Sequence, residues 1–180
     1  QQAIRALARE VAEAEIVPHA ARWDRDHTFP RELFAKLGEL GLMAINCKEQ
    51  FGGSEAGVIA FSLAITEIGK ACASTGVTMS VNNMVCEVIQ AIGTEEQKNA
   101  YIPKIASGEY YAGGFGLTET MAGSDPSGMR TTAVLDGDSY VLNGTKIFIT
   151  SAEYAGVFVV WAITDPKAPK GTGISTFLVE

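Results

Sequence analysis

The 180 residues are 47% hydrophobic and 19% charged, enough apolar side chain for a sizeable core and too little charge for a disordered segment. A formal net charge of −7 and a pI near 4.9, with no basic block, exclude a surface that tracks nucleic-acid phosphates, although loop amides and hydroxyls can still hold one pyrophosphate. Cys47, Cys72 and Cys86 have no C-x-x-C spacing, and His19 and His27 are the only histidines, so the cysteines read as buried apolar side chains in a reducing compartment and no metal site is predicted.

Up to about residue 110 the periodicity is helical. Ile4, Leu7, Ala8 and Val11 form one stripe, with Arg5, Arg9, Glu10 and Glu13 opposite, and Pro18 marks the end. Pro30 opens a second helix through Leu33, Leu37 and Leu40, which Gly41 closes as a C-cap glycine would. Asn46 to Gly57, with Gly52-Gly53-Ser54, reads as a loop. Val58 to Ile68 is apolar nearly all round, as in a helix buried on most faces. It is interrupted by Ser62, Thr66 and Glu67 and too short to span a membrane. Thr78 to Ile92 reads as a further helix, with Asn82, Asn83 and Cys86 as candidates to face a pocket and core packing the competing reading for Cys86. Thr94-Glu95-Glu96-Gln97 fits a capping box that opens a helix through Ile102 and Ile105.

From Tyr110 onward the pattern is that of strands and turns. Asp136-Gly137 and Asn143-Gly144 are hairpin-type turns. The strand candidates are Val134-Leu135, Tyr140 to Leu142, Lys146 to Thr150, Val157 to Thr164 and Ile174 to Val179, with a loop over Asp165 to Gly173. The expected architecture is therefore α+β: an all-α bundle over residues 1–110, then an incomplete antiparallel β-barrel or sandwich over 111–180. A first residue other than methionine, and a last run Phe177-Leu178-Val179-Glu180 that reads as mid-strand, suggest a piece of a longer protein.

The segment Gly113-Gly114-Phe115-Gly116-Leu117-Thr118-Glu119-Thr120-Met121-Ala122-Gly123-Ser124-Asp125 lies at the junction. Its glycines and hydroxyls around one aromatic suit a backbone that approaches a ligand and presents amides. No G-x-G-x-x-G is present, so it is no dinucleotide fingerprint. Composition alone leaves two readings open, a ligand-binding loop and a plain connection between domains.

Gly116-Leu117-Thr118-Glu119-x-x-Ala122-Gly123-Ser124-Asp125-x-x-Gly128 resembles the signature of the acyl-CoA dehydrogenase family. Phe29-Pro30, Leu37 to Met43, Phe51-Gly52-Gly53-Ser54, Gly93 to Gln97 and Leu142-Asn143-Gly144-x-Lys146-Ile147-Phe148-Ile149-Thr150 resemble further family segments in the family's order. The resemblance covers essentially the whole chain. It departs at Thr120, where many members have proline, and at Phe148, where tryptophan is common; the second change keeps a ring but loses an indole N–H.

The resemblance implies a helical domain and part of a middle β-domain, with the C-terminal helical bundle absent. It implies FAD, with Phe115, Gly116, Leu117 and Thr118 against the flavin ring, Ser124 at the FAD phosphates and the acyl-CoA substrate, and Phe148, Ile149 and Thr150 over the ring's other side. Read without the family, Phe148 and Ile149 are ordinary strand-core residues. Glu119 and Asp125 are implied to be structural. The implied activity is α,β-dehydrogenation of an acyl-CoA thioester to the trans-2-enoyl-CoA, with electrons passed to an electron-transferring flavoprotein. The catalytic base is expected in the C-terminal bundle, so the fragment alone is expected to be inactive. Ser151 to Gly156 resembles short- or branched-chain members. A homotetramer is implied, in the cytoplasm of a bacterium or the mitochondrial matrix of a eukaryote. The alternatives are an acyl-CoA oxidase or flavin monooxygenase on the same scaffold, and a non-catalytic acyl-CoA-binding protein.

Overall fold

The computed structural model describes all 180 residues. Helix α1 (Gln2–Val11) continues into a π-helical turn, Ala12–Ile16, before the chain reverses around Pro18. Short α2 (Ala20–Arg25) and α3 (Arg31–Glu39) follow, with Pro30 as the N-cap of α3 and Gly41 at φ +72° just past its end. The loop expected from Asn46 contains only one 3-10 turn, Glu49–Phe51. Helices α4 (Val58–Ala71), α5 (Ala73–Ile92) and α6 (Glu95–Ala106) complete the bundle. The α6 capping box forms as predicted: the Gln97 amide donates to the Thr94 hydroxyl at 3.2 Å and the Thr94 amide to the Gln97 side chain at 2.9 Å.

Two helices differ from expectation. Helix α4 is not buried on most faces, since Val58 is 72% and Ile59 61% exposed at its first turn. Helix α5 starts at Ala73, five residues before the expected Thr78. Small and hydroxyl residues at its start, Ser74, Thr75 and Gly76, weaken the apolar signal from which the start was read.

Ala8, Leu37, Met43, Ile45, Ala64, Ile68 and Met79 are wholly buried at the centre of the bundle. Glu67, 6% exposed on α4, accepts from Arg5 at 2.8 Å and Arg9 at 3.0 Å and so ties α1 down. Hydrogen bonds from Arg9, then Arg5, hold its carboxyl at about 2. A second core joins helices to sheet through Phe51, Val85, Ile89, Ile102, Ile105, Val157 and Val159. Cys47 and Cys86 are buried in it. The hydrogen bond to the Cys47 thiol, with burial, pushes the Cys86 thiol well up, which makes it inert. Cys72 is only half-buried.

Strand β1 (Ala112–Gly116) begins six residues after α6. The others are β2 (Thr132–Asp136), β3 (Ser139–Asn143), β4 (Ala155–Ile163) and β5 (Ile174–Val179). The expectation of a helical part followed by a β-part holds, but the sheet is mixed and open rather than an antiparallel barrel. β4 runs parallel to β1, from Ala112↔Ala155 to Gly116↔Val160, and antiparallel to β5. β2 and β3 form the antiparallel hairpin, and β2 touches β4 in parallel at Thr132↔Ile163. The 38 residues between β1 and β4 permit the parallel return, which needs a long crossover. Read strand by strand, the hairpin turns suggest only antiparallel neighbours.

Candidate functional site

The glycine run forms β1, and its glycines serve packing. A Cβ on Gly114 would collide with the Phe158 ring, and one on Gly113 would lie 2.8 Å from Val85 Cγ1. The Gly113 amide donates to Asn82 Oδ1 at 2.8 Å. The Phe115 ring tilts against Trp161, centroids 4.5 Å apart. A cavity of about 450 Å³ opens beside Leu117, Met129, Trp161, Ile174 and Thr176.

After β1 the chain makes a tight turn. Glu119 and Ala122 exchange both backbone hydrogen bonds, at 3.1 and 3.0 Å. The Glu119 side chain, 7% exposed as a residue, accepts from the Arg130 amide at 2.6 Å, the Thr131 amide at 3.0 Å and the Thr131 hydroxyl at 2.5 Å. Lys146 donates to it at 2.8 Å and to the Leu117 carbonyl at 3.1 Å. Burial pushes the Glu119 carboxyl up. The Lys146 ammonium, the Thr131 hydroxyl and the two amides more than offset this and hold it at about 2. Asp125 caps a 3-10 turn by accepting from the Ser127 amide at 3.1 Å and pairs with Lys170 at 2.7 Å. Lys170, then Ser127, holds its carboxyl at about 2. Both acids are thus engaged in the loop itself.

Residues 146–150 are not a strand. Phe148 sits at φ +56° and Ser151 at φ +57°, left-handed conformations that cannot run in a ladder. The alternation of Lys146, Phe148 and Thr150 imitates a strand. The segment instead crosses the 117–119 turn, where the Ile147 amide donates to the Thr118 carbonyl at 2.9 Å. Phe148 is 90% exposed, so it is not strand core. The amides of Thr118, Phe148, Ile149 and Thr150, and the hydroxyls of Thr118, Ser124 and Thr150, make no hydrogen bond to another group of the chain. Seven donors without a partner in the chain and an exposed ring, with the neighbouring carboxylates of Glu119 and Asp125 each paired with a lysine, could hold a planar, hydrogen-bonding, anionic cofactor.

Phe115, Leu117, Thr118, Phe148, Ile149 and Thr150 thus lie on two segments joined at Thr118 and Ile147. Ser124 is exposed two residues past the turn. Asn82 and Asn83 are corrected: both are buried and bonded to backbone, Asn82 to Gly113 and Tyr111, Asn83 to Ile45, Leu42 and Met79. Lys146 was missed as a tie between segments; its place in the Asn143-Gly144-x-Lys146 run was the available signal. A separate cavity of about 370 Å³, lined by Trp23, Phe29, Thr75, Thr78 and Tyr154 among others, contains none of the predicted site residues.

The acyl-CoA dehydrogenase N-terminal domain model matches residues 1–109, and the acyl-CoA dehydrogenase middle domain model matches residues 114–180. The chain belongs to the acyl-CoA dehydrogenase family. It is 43% identical, over its full length and 47% of the relative's, to a short-chain specific acyl-CoA dehydrogenase of Clostridium acetobutylicum. It also matches a chain solved in work on the electron transferring flavoprotein of Acidaminococcus fermentans, with TM-score 0.94 and 43% identity over 99% of this chain and 47% of that one. A glutaryl-CoA dehydrogenase from Mycobacterium smegmatis in complex with FADH2 matches with TM-score 0.91 and 35% identity, over 99% of this chain and 44% of that one. The chain spans about half the length of the relatives it matches. No helix in it is long and apolar enough to cross a membrane.

Proposed function

We propose that the protein carrying this chain catalyses FAD-dependent α,β-dehydrogenation of a short or branched acyl-CoA thioester to the trans-2-enoyl-CoA, and passes the electrons to an electron-transferring flavoprotein. Residues 1–110 are its helical domain and 111–180 the start of its middle domain, in a homotetramer. The observation that carries the reading is Phe148, 90% exposed at φ +56° beside unused donors. The Phe148 ring gains no packing within the chain, yet its backbone is held in a left-handed conformation that turns the ring outward, which is how ligand-facing positions present.

Phe115, Gly116, Leu117 and Thr118 hold one side of FAD and Phe148, Ile149 and Thr150 the other, with Ser124 at the phosphates and the acyl-CoA arm. FAD, when bound, supplies the two-electron acceptor. The free amides and the Thr118 and Thr150 hydroxyls are fixed donors that stabilise negative charge as it develops, without reorganising. Glu119 and Asp125, held at about 2, are too weakly basic to take a proton from carbon. Neither is assigned the role of base, which this reading places elsewhere in the protein. The short-chain preference draws support from the Clostridium relative. The complete protein should purify with bound flavin that bleaches anaerobically on addition of butyryl-CoA. A complete protein that takes up no flavin, or whose flavin never bleaches with acyl-CoA, contradicts the proposal.

A further inference from the structure

We propose that Lys146 is a positioning residue whose ammonium latches residues 146–150 to the Leu117–Glu119 turn and so sets the spacing between the two halves of the FAD-facing surface. The link to FAD rests on the functional reading above; the latch rests on contacts within the chain.

Residues 144–154 pair with no strand, so nothing regular holds them beside the 117–119 turn. Three hydrogen bonds from two successive residues do so instead. Lys146 donates to the Leu117 carbonyl at 3.1 Å and the Glu119 carboxylate at 2.8 Å, and the Ile147 amide donates to the Thr118 carbonyl at 2.9 Å. Lys146 reaches them with a side chain only 12% exposed, and the Glu119 side chain is 8% exposed. The ion pair is therefore shielded from the solvent that makes most surface pairs weak. Glu119 is anchored from its other side by Arg130 and Thr131. The chain of contacts thus runs from Arg130 and Thr131, just before β2, through Glu119 to Lys146. Phe148, two residues on, stands at φ +56°, a conformation that persists only where neighbouring structure holds it. The turn's own bonds between Glu119 and Ala122 do not involve Lys146. Its loss should free the 146–150 segment while leaving the turn intact.

The test pairs Lys146→Met, which keeps the stem and deletes the ammonium, with Lys146→Arg, which can still reach both oxygens. Glu67→Gln serves as a control that weakens a buried carboxylate network far from the site. In the complete protein stripped of FAD, hydrogen exchange at the Ile147 amide should quicken by about tenfold to a hundredfold in Lys146→Met, the factor a charge-assisted hydrogen bond is worth. Amides of α5 and of the β4–β5 ladder should keep their rates, and Lys146→Arg should restore most of the protection. Should Lys146→Met fail to fold, Lys146→Gln, which keeps an uncharged NH2 donor group on a shorter side chain, should give an intermediate rate. In the complete FAD-loaded protein, Lys146→Met should alter the visible flavin band and reduction potential, and Glu67→Gln should not. Unchanged exchange at Ile147 overturns the latch. An unchanged flavin band and potential, or an equal change in Glu67→Gln, overturns the positioning role. A complete protein without FAD overturns the functional reading and the FAD half of this proposal, while exchange at Ile147 still decides the latch.

Discussion

Asn82, wholly buried on α5, accepts the Gly113 amide at 2.8 Å through Oδ1 and donates to the Tyr111 carbonyl at 3.2 Å through Nδ2. One side chain thus bonds backbone groups on both sides of the entry to β1 and ties the sheet to the bundle. Asn82→Ala leaves a buried amide and carbonyl unpaired and should cost about 2–3 kcal/mol of unfolding free energy. Urea denaturation measures it. A loss under about 0.5 kcal/mol would mean that water satisfies both groups and that the junction is set elsewhere.

The Glu119 carboxyl is lowered from 4.5 in the unfolded reference to about 2. A depressed carboxyl contributes stability above its unfolded pKa and loses it as pH falls through the folded one. The contribution, on the order of 3 kcal/mol, should be full at pH 7 and vanish between about pH 4.5 and pH 2. Glu119→Gln should therefore destabilise at pH 7, and its acid-unfolding curve should approach that of the parent below pH 3. A stability gap that stays constant across this window argues that Glu119 acts by shape rather than by charge.

Phe148 makes so little contact with the fold that Phe148→Ala should leave thermal stability within about 0.5 kcal/mol of the parent. Flavin retention by the complete protein should nevertheless fall. Dialysis followed by absorbance of the retained flavin separates the two effects. A variant that loses stability but keeps its flavin would return Phe148 to a structural role.

In the complete protein, Thr150→Val preserves shape while removing one donor to a group that gains charge. The loss should be about 1.5–3 kcal/mol, or roughly ten- to a hundredfold in flavin reduction rate, with a smaller change in flavin content. Ser124→Ala should instead weaken FAD or acyl-CoA retention more than it slows reduction. Anaerobic stopped-flow bleaching with an acyl-CoA distinguishes them. Parental reduction by Thr150→Val would remove Thr150 from the flavin edge.

Most helices were legible because their apolar spacing and caps are local: the Thr94 box and the Pro30 start formed where the residues indicated. The parallel β1–β4 pairing was not, because register between strands separated by 38 residues leaves no local trace. The 146–150 segment was misread as a strand because a left-handed phenylalanine is invisible in an alternating pattern. At the site, the motif residues were legible as a group, whereas the roles of Asn82 and Lys146 depend on which backbone groups the fold leaves unpaired. The glycines of β1 show the same limit: Gly114 makes room for Phe158, a partner 44 residues away.

The central claim is that the Phe115–Thr118 and Phe148–Thr150 segments form one FAD-facing surface. Hydrogen exchange of the complete protein with FAD bound and with FAD stripped tests it most directly. The amides of Thr118, Phe148, Ile149 and Thr150, which have no acceptor within the chain, should exchange at least about tenfold more slowly with FAD bound, as expected when an exposed amide gains a fixed acceptor. The exposed hairpin amides around Gly137 should be unaffected. Protection that spares all four amides and appears only elsewhere in the protein would contradict the account.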